Sequence, residues 1–391
     1  MNRALTLRYL LFAVCAVAVF STAIVQILVV LLTLAAVWSW FAGDGRVLRW
    51  TPLHAPFAAF LLCRILSIAF SLDPTLSMRA LYIEYFFYLP FFIASGIVTE
   101  NPLDALRTFS RVIVLAGMAA AFLGSTLFLL GVVQRAESTT AGPYTLGGFL
   151  CLALPFAAFA PQSGRKGSSL LHWLQLSVIC LGIILTFDRL HWFSMAATII
   201  IAGVVSRRRL LLIPVVLSTL VLFVSPAVQQ RFLQLFHIGE YLTGRDVLWR
   251  GAAMLWNQHP IVGFGPRTFH EIFPLFDEMP IRGVGSWHND YLQVYLESGL
   301  LGLLPLLWLV GSLVVYGWKA LSGSHHSDDE YRYTLAAYAA LLTSLVIGGM
   351  LDTIIGIPLR ILLGIFAQQI VTLLKAPSTP ISEISLAVRN A

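Results

Sequence analysis

The chain has 391 residues, 58% of them hydrophobic and only 11% charged, with a net charge of +6 and a mean hydropathy of +0.83. No soluble domain needs that much apolar surface, and several stretches exceed the roughly 18 to 20 residues that span a bilayer. A soluble fold is excluded, and so is a nucleic-acid partner, because no soluble basic region exists; the positive charge is a topology signal.

Taken in order, Arg3 and Arg8 precede an apolar run that continues for about 30 residues without a convincing cleavage site, so it reads as retained helices rather than a signal peptide. About twelve spans follow one another near 7–21, 23–41, 53–71, 77–98, 107–132, 143–160, 169–186, 191–206, 209–226, 299–319, 333–351 and 358–375. Runs this dense are not the alternating strands of a barrel. The predicted fold is all-α: a polytopic membrane protein of about 12 transmembrane helices with a large helical loop between spans 9 and 10. Its parts are residues 1–226 (spans 1 to 9), 227–298 (the loop) and 299–391 (spans 10 to 12 and a tail). Cys15, Cys63, Cys151 and Cys180 all lie inside spans, with no metal-ligand spacing and no loop in which to pair.

Orientation follows from the basic residues. With the N-terminus cytoplasmic, the inner segments hold Arg46, Arg49, Arg107, Arg111, Arg165, Lys166, Arg207, Arg208, Arg209, Lys319, Arg332 and Lys375, and the short outer loops hold few. Both termini are then cytoplasmic and residues 227–298 face the periplasm. The Arg207–Arg209 run is a topology anchor. His325 and His326 with Asp328 and Asp329 form a solvated turn in a Ser/Gly-rich loop rather than a metal site. Arg64 and Glu84 lie inside spans 3 and 4; if these form a hairpin around Leu72-Asp73-Pro74, Arg64 is seven residues before Ser71 and Glu84 seven after Ser77. At 1.5 Å per residue both sit about 10 Å below the outer surface. Charges are expensive there, so they read as a buried pair, with a lipid-path lining as the alternative.

The outer loop is too long for a passive connector. Thr243-Gly244-Arg245-Asp246 opens a helix whose Leu248, Ala252, Leu255 and Trp256 form one stripe, and His259-Pro260 stops it. Gly263-Phe264-Gly265-Pro266 is a turn; without a surrounding βαβ unit its G-x-G is no dinucleotide fingerprint. Arg245 stands in the first helical turn, where a cation opposes the helix dipole. It either seats a phosphate or pairs with Asp246 or lipid headgroups. Arg189, joining two spans at the outer surface, is either an interfacial anchor or a ligand contact. Arg135, Arg250, Arg267, Arg282 and Arg360 are also predicted at or near that surface. Such a cluster on the side that disfavours arginine points to an anionic partner, and bidentate guanidinium groups suit a diphosphate.

The loop closes on Gly285–Gly299. Read as a helix with Ser286 as N-cap and Asp290 in the first turn, it sets Tyr291, Leu292, Tyr295 and Leu296 on one stripe and Asn289, Gln293 and Glu297 on another face. His288 then lies at the positive end of the dipole, where the neutral ring is favoured and can accept a proton. The alternative for His288 is a hydrogen-bonded interfacial histidine. Trp287, Tyr291 and Tyr295 either stack on sugars or belong to an interfacial aromatic belt.

Together, Thr186-Phe187-Asp188-Arg189, Gly244-Arg245-Asp246-Val247-Leu248-Trp249, His259-Pro260-Ile261-Val262-Gly263-Phe264-Gly265, and His288-Asn289-Asp290-Tyr291 ending at Gly299 resemble the O-antigen ligase family. That family sits in a superfamily with O-antigen polymerases and protein O-oligosaccharyltransferases. The resemblance extends over nearly the whole chain, and the spacing of His288 and Gly299 is its most ligase-like feature. It implies transfer of polysaccharide from undecaprenyl diphosphate to lipid A–core oligosaccharide at the periplasmic face of the Gram-negative inner membrane. It also implies that Arg189, Arg245 and His288 are the essential residues, Arg267 being the other match for the loop arginine. Asp188-Arg189-Leu190 departs from the Ser-Arg-Gly common in ligases, which puts the local turn in question.

The chemistry agrees with that expectation. Without periplasmic ATP, transfer needs an activated donor whose leaving diphosphate fixed arginines can stabilise. The acceptor hydroxyl needs a base, the role His288 suits. Arg267, Arg282 and Arg135 are further diphosphate candidates, with Trp287, Asn289 and Tyr291 as neighbouring contacts to substrate. No Asp-x-Asp pair or carboxylate/histidine cluster lies in the outer loops, so no cofactor is expected and the reaction is expected to be metal-independent. One hydroxyl, one base and no enzyme nucleophile imply inversion at the anomeric carbon. The competing readings are the related polymerase and a lipid-linked glycan transporter. The latter predicts internal repeats and charged or broken helices at mid-membrane; the sequence shows no clear repeat, and its polar residues concentrate at the outer face, which favours interfacial chemistry.

Overall fold

The computed structural model describes residues 3–43, 49–97, 102–139, 142–159, 166–205, 226–233, 244–279, 284–323, 328–348 and part of 362–371. The predicted ninth span, most of the predicted twelfth, the Arg207–Arg209 run, His325, His326, Arg282, Arg360 and the Glu84 side chain lie outside the described residues.

Among the described residues the chain is helical throughout, apart from one isolated bridge between Ser138 and Gly142. The helices are α1 (Arg3–Val17), α2 (Thr22–Phe41), α3 (His54–Ile68), α4 (Pro74–Ile97), α5 (Pro102–Leu129), α6 (Gly142–Phe159), α7 (Lys166–Leu185) and α8 (Arg189–Val205). After them come α9 (Pro226–Leu233), α10 (Arg245–Leu255), α11 (Phe269–Ile272), α12 (Asp290–Ser322) and α13 (Asp328–Gly348). Four of these, α2, α5, α6 and α12, are each long and apolar enough to cross a membrane, and shorter apolar helices surround them. This is a multi-pass membrane protein.

Local chemistry fixes the helix starts. Ser21 caps α2 by accepting from Ile24 N. Asp73 accepts from Leu76 N at 2.8 Å, with Pro74 at the first helical position, where its missing N–H costs nothing. The α3–α4 hairpin therefore turns at Leu72-Asp73-Pro74, as the sequence predicts. The buried core runs through α5, α6, α7 and α13, with α6 buried along nearly its whole length.

Contacts at the helix ends define two poles. At one pole Arg8 pairs with Asp104 (2.7 Å), Arg107 with Asp329 (3.1 Å) and Arg332 with Asp328 (2.6 Å). Starting from Arg107, α5 runs to the opposite pole, where Ala136 N in the following loop donates to Leu185 O at the end of α7 (2.7 Å). Starting from Asp329, α13 runs the same way to Leu345, whose carbonyl accepts from the Tyr291 hydroxyl (3.1 Å). The α5–α6 loop, the α7–α8 turn and the beginning of α12 thus share one pole.

Helix α12 is broken. Gly299 has φ 59° and ψ −159°, far from helical values, and splits it into 290–298 and 300–322. The segment 260–265 fills the break. Leu300 N and Leu301 N donate to Pro260 O and Ile261 O (2.8 and 2.9 Å), and Phe264 N and Gly265 N donate to Leu296 O and Glu297 O (2.8 and 2.9 Å). Every one of those backbone groups, freed by the break, is thereby satisfied. The approach is so close that a Cβ on Gly299 would lie 2.3 Å from Ile261 C, and one on Gly263 2.4 Å from Glu297 C. The break also changes direction. Tyr338 bonds to Val314 O (3.1 Å), so on a straight antiparallel partner Leu345 would face a position near 307. Tyr291, about 24 Å further along such an axis, nevertheless reaches Leu345. The half-helix 290–298 therefore folds back across the pole.

Candidate active site

Four segments converge on that pole. The first is the α7–α8 turn. Asp188 caps α8 by accepting from Leu190 N (2.9 Å) and His191 N (3.3 Å), which presents Arg189 at the first helical position. The departure from Ser-Arg-Gly thus leaves the helix start intact, an aspartate capping as well as a serine does. Behind it, His191 is fully buried against Gly147, where a Cβ would fall 2.2 Å from its Nδ1. Arg135 comes from the α5–α6 loop, which the Ala136–Leu185 hydrogen bond holds beside this turn.

The second segment is α10. Gly244, in the left-handed region at φ 80°, reverses the chain so that Arg245 opens the helix, as predicted. Val247, Leu248, Ala252 and Leu255 pack with Phe264, Phe269, Phe273, Trp287, Tyr295 and Leu296 into a small core separate from the main bundle core. Trp256 at the end of α10 meets Tyr295 ring to ring (4.1 Å between centroids), and Tyr295 donates to Trp256 O (2.9 Å). The loop helix is in this way fastened to the half-helix.

The third is the turn 263–267. Leu72 N donates to Phe264 O (3.0 Å) and the Ser77 hydroxyl to Pro266 O (2.8 Å), so the α3–α4 hairpin grips it. Arg267, the next residue, is partly buried with φ 64°.

The fourth is the entry to α12. Asn289, not Ser286, is its N-cap: the Asn289 carboxamide oxygen accepts from Leu292 N (3.0 Å). His288 consequently precedes the helix instead of standing in its first turn. The Ser286 hydroxyl lies 3.4 Å from His288 Nδ1, an orienting contact for the partly buried ring. Asn289 acts on the backbone here, and the phenol of half-buried Tyr291 is engaged with Leu345 O. Trp287 does not offer a face to a sugar: it is fully buried, edge-on to Phe269 (4.9 Å) and Phe273 (5.6 Å).

Two features separate this pole from the rest of the molecule. Among the described residues, the only non-glycine positions with positive φ are Phe187 (55°), Arg267 (64°) and His288 (48°). Each costs roughly 1–2 kcal/mol, and the three fall on three of the converging segments. Arg135 and Arg245 are half-buried and, among the described residues, make no hydrogen bond or ion pair. Arg250 differs: it pairs with Glu278 at 2.7 Å on the surface. Guanidinium groups held half-buried without a protein counter-ion suit an anionic ligand.

Sequence reasoning did not name Glu297 as a partner of Arg64, and the expected pairing with Glu84 falls on a side chain outside the described residues. Arg64 Nη1 donates to Glu297 Oε2 at 2.8 Å, with both side chains buried. Glu297 lies far along the chain, and the only hint was its place on a polar face with Asn289 and Gln293.

Residues 174–307, from within α7 to the first turns beyond the α12 break, match the family model described as O-antigen ligase. No curated protein matches the chain.

Proposed function

We infer, from the match of residues 174–307 to the O-antigen ligase family model, that this chain is a glycosyltransferase of the inner membrane that moves O-antigen polysaccharide from undecaprenyl diphosphate to lipid A–core oligosaccharide. The observation supporting it is the gathering of three strained residues, two on the proposed catalytic motifs, at a pole that also holds half-buried Arg135 and Arg245, which have no partner among the described residues. Strain of this kind persists where the surroundings over-determine a residue, and it concentrates at active sites.

In the proposed reaction a hydroxyl oxygen of the acceptor sugar attacks the anomeric carbon of the donor. The bond from that carbon to the diphosphate oxygen breaks, and its electron pair leaves with the diphosphate. Arg189 and Arg245, with Arg135 and Arg267 beside them, stabilise the charge that develops there. His288 takes the hydroxyl proton, its ring oriented by Ser286. A single displacement inverts the anomeric centre. The residues available at this pole require no metal for any step. This pole then faces the periplasm, and the ion-paired pole faces the cytoplasm.

A polymerase would use the same arginines and histidine with a second lipid-linked glycan as acceptor, so reconstitution with each acceptor separates the two. Purified enzyme in EDTA should transfer glycan to lipid A–core and not to a second donor. H288A should lower turnover about 10²–10⁴-fold, the usual contribution of a general base. R189A and R245A should each weaken donor use by about 10²–10³-fold. Transfer only to a second donor would make the chain a polymerase. Activity that EDTA removes and a divalent ion restores would end the metal-independent mechanism.

A further inference from the structure

Arg64 and Glu297 are buried at 3% and 0% exposure, and Arg64 Nη1 also lies 3.3 Å from the Ser298 hydroxyl. Ser67, one turn on from Arg64, contacts Ser298 at 3.1 Å. On its other oxygen Glu297 accepts from Gln293 Nε2 at 2.9 Å. This network joins α3 to the last turn of the half-helix 290–298, directly before the break at Gly299.

Stability alone is a poor reason for it. A carboxylate in the last turn of a helix faces the negative end of the dipole. The cost of removing both charges from water can exceed their attraction, so an apolar pair of the same size is often as stable or more so, and such pairs are best attested where they fix register. The half-helix is a short segment with non-helical backbone at one end and strained His288 just before the other. The carboxylate of Glu297 accepts from Gln293 on the same half-helix and from Arg64 on α3, so a slide or rotation of the segment breaks a charged hydrogen bond in a buried site. Arg189 rides on a different element, α8, whereas Arg245 rides on α10, which Trp256 and Tyr295 fasten to the half-helix.

We propose that Arg64 and Glu297 are positioning residues: their ion pair locks the half-helix in the register that holds His288 against the acceptor hydroxyl, while Arg189 on α8 keeps its place in the diphosphate seat. The proposal rests on His288 being the base, and it predicts a split between binding and turnover. A misplacement of about 1 Å at a reacting group can lower rate about 100-fold.

E297Q keeps the size of the side chain and removes its charge. It should give monodisperse protein with turnover lowered by about 100-fold, in line with that misplacement, and donor affinity lowered far less than turnover. E297Q that folds and turns over at the parental rate overturns the proposal, as does a parallel loss of donor affinity. R64M/E297M removes both charges together and, if E297Q does not fold, is read by the same measurements with the same criteria. A lowered melting temperature with unchanged turnover in that double variant marks the pair as merely structural and equally overturns the proposal. H288A is the control for the underlying reading. Normal turnover in H288A defeats the assignment of the base itself, whereas inactive H288A beside active E297Q defeats only the positioning role.

Discussion

Gly299 shows how one residue sets the geometry of the proposed site. Its φ of 59° with ψ of −159° is open only to glycine, and an added Cβ would collide with the backbone of Ile261 at 2.3 Å. G299A should therefore cost about 1–3 kcal/mol from strain alone. Closing the break would also displace segment 260–265. The expected result is a lower melting temperature and lost transfer; a variant with parental melting temperature would show that the helix does not need its break. The spacing from His288 singled this glycine out in the sequence, but its reason was not legible, because the clash is with a segment some 38 residues earlier, as 299 − 261 gives. His288 was legible as a candidate for the opposite reason: its neighbours in sequence are its neighbours in space. The exact helix start was not. Ser286 and Asn289 are both good caps, and the chain chose Asn289, leaving Ser286 to orient the imidazole.

At the scale of elements, the loop between the predicted spans 9 and 10 folds around its own small core, with Trp287 at the centre. W287A should leave the bundle intact and cost the loop about 3–5 kcal/mol, the usual price of removing a buried aromatic side chain. Limited proteolysis should then cut selectively within the described loop residues 244–279, and resistance equal to the parent would show that Trp287 is not the keystone. Sequence reading placed this tryptophan among sugar contacts because it adjoins His288. Aromatic residues next to a polar site suit both roles, and only the folding of Phe269 and Phe273 onto it decides for packing. Leu248, Ala252 and Leu255 of the α10 stripe were readable in advance, since 3.6-residue periodicity is a local property, whereas Trp256 lies just past the helix and is exposed.

For the whole molecule the decisive quantity is orientation. The two poles differ in kind: one is laced by Arg8–Asp104, Arg107–Asp329 and Arg332–Asp328, the other gathers half-buried arginines and strained turns. If the basic residues set topology, a single cysteine at Ser286 should react with a membrane-impermeant maleimide from the periplasm, while one at Asp104 should react only after the membrane is opened. The reverse pattern would put the proposed site on the cytoplasmic side and exclude a periplasmic ligase.

The amino-acid sequence by itself determined that the chain is helical and membrane-embedded, where most of its helices lie, and which motifs merit attention. Hydrophobic length, helix caps and charge bias are local sums, readable residue by residue. Only the tertiary structure decided that Arg64 answers Glu297, that segment 260–265 fills a broken helix, and that Trp287 faces inward. Those outcomes depend on which distant surfaces meet and on satisfying every buried charge and backbone group at once, which no local pattern encodes.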